Sequence, residues 1–167
     1  MYRSLNDFFQ SWHYEAKATK KVLNQLTDES LDQEVSPENW TLGRIAWHTV
    51  TAIKVISSQA GLTFEAPDKD WPVPHSAEFI AKSYEKVSDA FIQSLKAQWT
   101  DHDLTESINF FGQQMPKGVL LLYLNQHQTH HRGQMTVLMR QAGLTVPGIY
   151  GPSKEEWAVL GMETPKS

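Results

Sequence analysis

The sequence contains no cysteine. This absence excludes disulfide bonds, a cysteine nucleophile and thiolate ligands, so any bound metal must be held by nitrogen or oxygen atoms. Thiol chemistry would then require a thiol that is supplied by the substrate. The sequence also lacks an apolar run near the roughly 18–20 residues of a membrane-spanning helix, so we expect no membrane partner.

Charge is nearly balanced along the chain. Fifteen Lys and Arg residues against nineteen Asp and Glu residues give a net charge of −4, and no basic run stands out, so nucleic acid is not an expected partner. The N-terminus, from Met1 to Asp7, lacks an apolar signal segment, and we therefore expect a cytoplasmic protein. A length of 167 residues, with 40% apolar and 20% charged residues, suits one domain over 1–167.

Four long segments carry apolar residues at spacings of three and four, which is the helical period. They predict helices over about 4–26, 41–60, 76–98 and 116–142. Ser4 and Asp7 form a candidate capping pair for the first helix. Gly61 and Gly143 are suited to end the second and the fourth helix.

The connections between these helices are long. Residues 61–75 contain three prolines, and within 99–115 an apolar piece, Ile108 to Phe111, predicts a short extended segment. The tail over 146–152 is predicted as loop, and Ser153 is a candidate N-cap for a last short helix. Because other strand signals are scarce, the pattern predicts an all-α four-helix bundle with long connections between helices 2 and 3 and helices 3 and 4.

Two histidines stand one helical turn apart in the predicted fourth helix. His127 and His131 project from one face about 40° apart, and they can hold a divalent metal if a third ligand arrives from elsewhere. His48, in the middle of the predicted second helix and at the margin of its apolar face, is the best candidate for that ligand. A buried polar patch, with each imidazole hydrogen-bonded to a neighbour, is the alternative that the spacing leaves open.

A helical wheel divides the polar residues of the fourth helix. Tyr123 and Gln134 fall in the apolar stripe beside the two histidines, and His130 lies near the edge of that stripe. The other polar residues point elsewhere by this count: Gln128, Thr129 and Arg132. Gly133 is unusual inside a helix and indicates either close approach of another helix, within the chain or across a dimer, or simple tolerance.

Other metal-site patterns are missing from the sequence. There is no Glu-x-x-His pair of the di-iron bundles, and Gln128 occupies the glutamate position of the zinc-protease pattern His-Glu-x-x-His. The remaining histidines lie outside the pattern, and we expect them at the surface: His13, His75 and His102. Among the tryptophans, Trp71 in the 61–75 loop is the best candidate to line a substrate cleft.

Three features together resemble the DinB/YfiT-like family across nearly the whole chain. They are a histidine in the second helix (His48), the motif His-x-x-x-His-Arg-Gly-Gln at 127–134, and the tail Ala-Gly-Leu-x-Val-Pro-Gly-x-Tyr-Gly at 142–151. The resemblance implies a four-helix bundle, often a homodimer, that binds zinc or nickel through three histidines. Carried over to this chain, the metal ligands are His48, His127 and His131.

A three-histidine site permits several reactions. Because neutral imidazoles leave the charge of the ion uncompensated, the site favours an anionic fourth ligand and lowers the pKa of a bound thiol or water. Gln134, Tyr123 and His130 are the candidates to orient a ligand or carry a proton. The family includes transferases that use low-molecular-weight thiols, so the leading interpretation is a metal-dependent S-transferase or hydrolase acting on a small molecule. The alternative is a non-catalytic, metal-stabilised dimerisation or stress-response binding module, and a metal-free bundle is a third interpretation.

Overall fold

The computed structural model describes residues 2–163, which are mostly helical. The α-helices are α1 (Leu5–Leu23), α2 (Leu42–Ser57), α3 (Ala77–Gln98), α4 (Lys117–Gln141) and the short α5 (Glu156–Val159). Short 3-10 helices cover Asp28–Asp32, Ser58–Ala60 and Asp101–Thr105, and two strands are β1 (Ser107–Phe110) and β2 (Gln113–Pro116). Met1 and residues 164–167, which the predicted domain also included, lie outside the described residues.

The four long helices lie where the apolar period predicts them, because their end signals are local. Ser4 and Asp7 form the predicted capping box at the start of α1. Helical structure after α2 continues through a 3-10 turn to Ala60, and Gly61 follows at φ 79°. The prediction for Ser153 is wrong: α5 begins at Glu156, and no side chain caps it.

The predicted extended segment is one strand of a small antiparallel hairpin. Ser107 pairs with Pro116 and Phe110 with Gln113. The two residues of the turn, Phe111 and Gly112, both have positive φ, as a tight hairpin turn requires. The chain is therefore mostly helical with a two-stranded sheet, rather than all-α as predicted. The hairpin leads directly into α4.

One apolar core lies between the four long helices. Helix α1 contacts α3 and α4, and α2 contacts the same two helices. Phe8, Trp12 and Phe91 form an aromatic cluster at the α1–α3 contact, where the Trp12 indole N–H donates to Ser88 Oγ over 2.9 Å. Within residues 2–163, no helix combines the length and the apolar character needed to cross a membrane.

Helix α4 is buried on two faces, which corrects the helical-wheel prediction. Gln128 and Arg132 were expected to point away from the interior, yet each residue is only 2% exposed. The reason is that α4 lies between α2, on the histidine side, and α1, on the other side. Gln128 Oε1 accepts hydrogen bonds from Thr19 Oγ1 (3.1 Å) and from the Tyr84 hydroxyl (2.7 Å). The buried Gln128 side chain on this face of α4 therefore has hydrogen-bond partners inside the protein.

Arg132 connects α4 to α1 and to the tail. Its guanidinium donates to Glu15 Oε2 and to the Tyr150 hydroxyl, both over 2.6 Å, and to Thr19 Oγ1 over 3.1 Å. The Tyr150 hydroxyl in turn donates to the Glu15 carboxylate. The arginine of the His-x-x-x-His-Arg-Gly-Gln motif and the tyrosine of the tail motif thus both contact one partly buried carboxylate, that of Glu15.

Candidate metal centre

The contact between α2 and α4 brings the three predicted histidines together. His48 Nε2 lies 3.3 Å from His127 Nε2, and His131 Nε2 lies 3.3 Å from the same atom. The candidate ligand atoms of all three residues lie within 4.8 Å of one another. Two residues come from consecutive turns of α4 and one from the middle of α2, so the site depends on how these helices pack.

Two of the three spacings between these nitrogens match a tetrahedral metal site. A zinc ion holds imidazole nitrogens at about 2.0–2.1 Å, and the edge of the resulting tetrahedron is about 3.3–3.4 Å. Both Nε2–Nε2 distances from His127 match that edge. A chain of hydrogen bonds satisfies three imidazoles less well, because His127 Nε2 faces two nitrogens and forms one good hydrogen bond at most. The residues present therefore fit a metal ion.

The environment keeps the imidazoles neutral. Burial, reinforced by repulsion from the neighbouring histidines, lowers the pKa of His48 and of His127 to about 4. Burial also lowers the pKa of His131, and its hydrogen bond to Gln134 opposes that effect. Near pH 7 each histidine can therefore offer a nitrogen lone pair, which is the form that binds a metal.

Of the three residues predicted to support the ligands, Gln134 makes the direct contact. Its Oε1 lies 2.7 Å from His131 Nδ1, so that nitrogen donates and Nε2 is left free. Tyr123 lies against His127 by its ring, with centroids 5.9 Å apart, and its hydroxyl makes no hydrogen bond within residues 2–163. His130 is exposed at the edge of the site, with its ring centroid 5.0 Å from that of His131.

Trp40 covers the histidine cluster, a role that the sequence analysis missed. Its ring centroid lies 5.0 Å from that of His48 and 6.3 Å from that of His131. The signal was its position directly before Thr41, whose side chain caps α2. Trp71, the expected cleft residue, is 53% exposed and lines a different cavity, beside Phe79.

A cleft of about 640 Å³ opens beside the cluster. Its lining includes His131 of the histidine cluster, Gln134 and Trp40. The rest of the lining is mainly apolar: Val35, Ile45, Val137 and Leu138. A volume of this size accommodates a small organic molecule. The arrangement resembles an open site more than a closed structural one.

His13, His75 and His102 are exposed, as expected. Gly133 is exposed, and a Cβ built on it would meet nothing within 4 Å, so no helix of the described chain approaches it closely. Close approach within the described chain is therefore excluded, and close approach across a dimer stays a prediction beside simple tolerance.

Comparison with known proteins agrees with the motifs. The sequence model of the DinB family matches residues 1–166. The chain belongs to the DinB family. This DinB chain is 68% identical over 166 residues to the Bacillus subtilis (strain 168) protein named "Uncharacterized protein YrdA", with 99% of each chain covered.

Solved structures show the same fold. A DinB-like protein from Bacillus cereus ATCC 10987 superposes with a TM-score of 0.87 at 59% identity, covering 90% of this chain and 100% of that one. A DinB-like protein from Bacillus subtilis superposes with a TM-score of 0.69 at 16% identity, covering 88% and 99%. The second similarity concerns the fold alone.

Proposed function

We propose that residues 1–167 form one four-helix-bundle domain that binds a single zinc or nickel ion through His48, His127 and His131. The observation that carries this proposal is the pair of 3.3 Å distances from His127 Nε2 to the other two Nε2 atoms. Gln134 adds support, because its bond to His131 Nδ1 selects the tautomer in which Nε2 is free.

We further propose that the site is that of a metal-dependent enzyme acting on a small molecule. When bound, the ion supplies Lewis acidity and lowers the pKa of a coordinated thiol or water. The three uncharged imidazoles would bind the ion, and Gln134 orients the ring of His131. Trp40 packs against His48 and limits the access of water to it. The cleft beside His131 gives the substrate a place next to the ligands.

The reaction class that this site supports best is thiol transfer, with hydrolysis as the related case. In thiol transfer, a sulfur–carbon bond forms between the thiol and an electrophilic carbon. The bond from that carbon to its leaving group breaks, and the leaving group takes up the thiol proton. In hydrolysis, water replaces the thiol. Since the chain has no cysteine, the thiol must come from a low-molecular-weight cosubstrate.

The open cleft favours an enzyme over the non-catalytic alternative. A metal-stabilised dimerisation or stress-response module would need a closed coordination sphere and no adjoining cavity, whereas about 640 Å³ of space adjoins His131. An exchangeable fourth ligand on the bound ion would separate the two functions. A homodimeric state and a cytoplasmic location remain part of the proposal.

The first test is the metal content of untagged protein, measured by elemental analysis. We expect about one zinc or nickel ion per chain in the unmodified protein and none in the His48→Ala, His127→Ala double variant. His130→Ala is the matched control, because His130 lies on the same helix but is exposed, and it should retain the metal. Equal metal content in all three proteins would overturn the assignment of the ligands.

The second test follows only if metal is found. The metal-loaded protein is mixed with a low-molecular-weight thiol and a panel of electrophiles, and loss of free thiol is followed with time. We expect thiol consumption above that of the double variant. Loss at the same rate in both proteins for every electrophile would contradict the transferase, and a parallel ester panel tests the hydrolase.

A further inference from the structure

Arg44 brings an unpaired positive charge against Trp40, which is one of the residues that line the cleft. It lies one turn before His48 on the same face of α2, and its guanidinium carbon is 5.0 Å from the centroid of the Trp40 ring. Within residues 2–163, no carboxylate oxygen lies within 4 Å of its nitrogens, and its side chain makes no hydrogen bond. By contrast, Arg132 and Arg140 are each paired with a glutamate.

In this position the Arg44 guanidinium is preorganised to bind a planar anion such as a carboxylate. Arginine presents five N–H donors in a rigid plane whose geometry matches both oxygens of a carboxylate. Contact with the Trp40 ring restrains that plane, so little further ordering is needed when an anion binds. The side chain is half-buried, and unused donors there are less well hydrated than on an open surface.

The charges around the cleft favour an anion as well. Among the side chains around the cluster, Gln134 is uncharged, and Arg44 supplies a fixed positive charge one helical turn from His48. Glu38 is the acidic residue that lines the cleft, and it is exposed, so water screens its charge. The apolar lining, including Val137 and Leu138, suits a hydrocarbon or aromatic body.

We infer that Arg44, held against Trp40, binds the carboxylate of a small-molecule substrate whose apolar body lies in the cleft beside His131. The substrate class is therefore an organic acid with an apolar or aromatic body, of a size that fits about 640 Å³. The inference rests on the proposed function, because it assigns the substrate of the same metal centre. It adds a binding role for Arg44, which is not one of the candidate metal ligands.

The test uses a matched pair of probes, 3-phenylpropanoate and the neutral 3-phenylpropanamide. Their dissociation constants are measured by calorimetry with zinc-loaded and with metal-free protein. We expect the acid to bind about 10-fold or more tightly than the amide, as one charge-assisted bidentate pair provides. In Arg44→Gln the acid and the amide should bind about equally, whereas the exposed control Arg3→Gln should keep the preference.

Two controls show that Arg44→Gln is folded and that the guanidinium causes the preference for the acid over the amide. Thermal unfolding and zinc content establish that Arg44→Gln is intact, and Arg44→Lys, which keeps the charge without the planar fork, should show an intermediate preference. Equal binding of acid and amide by the unmodified protein would overturn the inference. So would a preference that survives in Arg44→Gln, because the carboxylate would then bind elsewhere, for example to zinc. Absence of bound metal would refute the proposed function, while the metal-free measurements would still test Arg44.

Discussion

Gln134 Oε1 accepts a hydrogen bond from His131 Nδ1 over 2.7 Å, from a position three residues further along α4. The bond is local to one helix, and it decides which nitrogen of His131 faces His127. If Nδ1 carried no proton, Nε2 would carry one and could not bind a metal. The glutamine of the His-x-x-x-His-Arg-Gly-Gln motif would therefore act on a bound metal through the candidate ligand His131.

Replacing Gln134 tests this relationship. In Gln134→Leu the tautomer and the ring orientation of His131 are no longer selected, and we expect zinc affinity to fall about 10- to 100-fold, as for other residues that support metal ligands. Competition against a chromophoric chelator measures the affinity. Gln126→Leu, an exposed change on the same helix, is the control. Equal affinities for both variants would show that Gln134 does not support the site.

Metal binding should also stabilise the fold. An ion that binds only the folded state adds about 2.7 kcal/mol when its free concentration is 100 times its dissociation constant. For a chain of this size, that corresponds to a rise in Tm of about 5–10 °C, which scanning fluorimetry measures. His127→Ala removes the nitrogen that neighbours both others, so its Tm should not respond to zinc. A zinc response of equal size in this variant would refute the ligand assignment.

The sequence predicts those parts of the protein that depend on local signals. The helical period, the Ser4–Asp7 capping box and the spacing of His127 and His131 are all local, and each appears in the structure as expected. Two features depend on how helices pack, and the helical period did not predict them. One is the position of Trp40 over the cluster, and the other is the burial of Gln128 on a second inner face of α4.

Arg132 lies on this second buried face of α4, and its replacement should destabilise the protein. Its side chain is 3% exposed and that of its partner Glu15 is 15% exposed, so removing the guanidinium leaves a partly buried carboxylate without its charged partner. We expect Arg132→Met to lower the free energy of unfolding by about 3–5 kcal/mol. Urea denaturation measures the loss.

Two further variants test the cause of that loss. Glu15→Gln combined with Arg132→Met should cost clearly less than the sum of the single changes, because neither charge is then left alone. Arg140→Met breaks an ion pair whose side chains are 41% and 37% exposed, and we expect a much smaller effect. If Arg132→Met and Arg140→Met destabilised the protein equally, burial would not determine the contribution of the Arg132 pair.

Gln128 tests whether a sequence pattern alone can create a metalloprotease site. The change Gln128→Glu completes His-Glu-x-x-His at 127–131, but the side chain at 128 lies on the α1 side of α4, away from the histidine cluster, between Thr19 and Tyr84. We expect no peptidase activity in the zinc-loaded variant. The new carboxylate would be buried, so the free energy of unfolding should fall by about 2–4 kcal/mol near pH 7.

The pH dependence of this variant identifies the cause. Burial raises the pKa of a carboxyl, and the protonated form can again donate to Asn125 as the Gln128 amide does. The loss relative to the unmodified protein should therefore shrink as the pH falls from 8 to 5, when both proteins are compared by urea denaturation at each pH. A loss that stays constant over this range would mean that packing, rather than the buried charge, limits stability at this position. Peptidase activity in Gln128→Glu would mean that the side chain reaches the metal, and the two-faced burial of α4 would then be wrong.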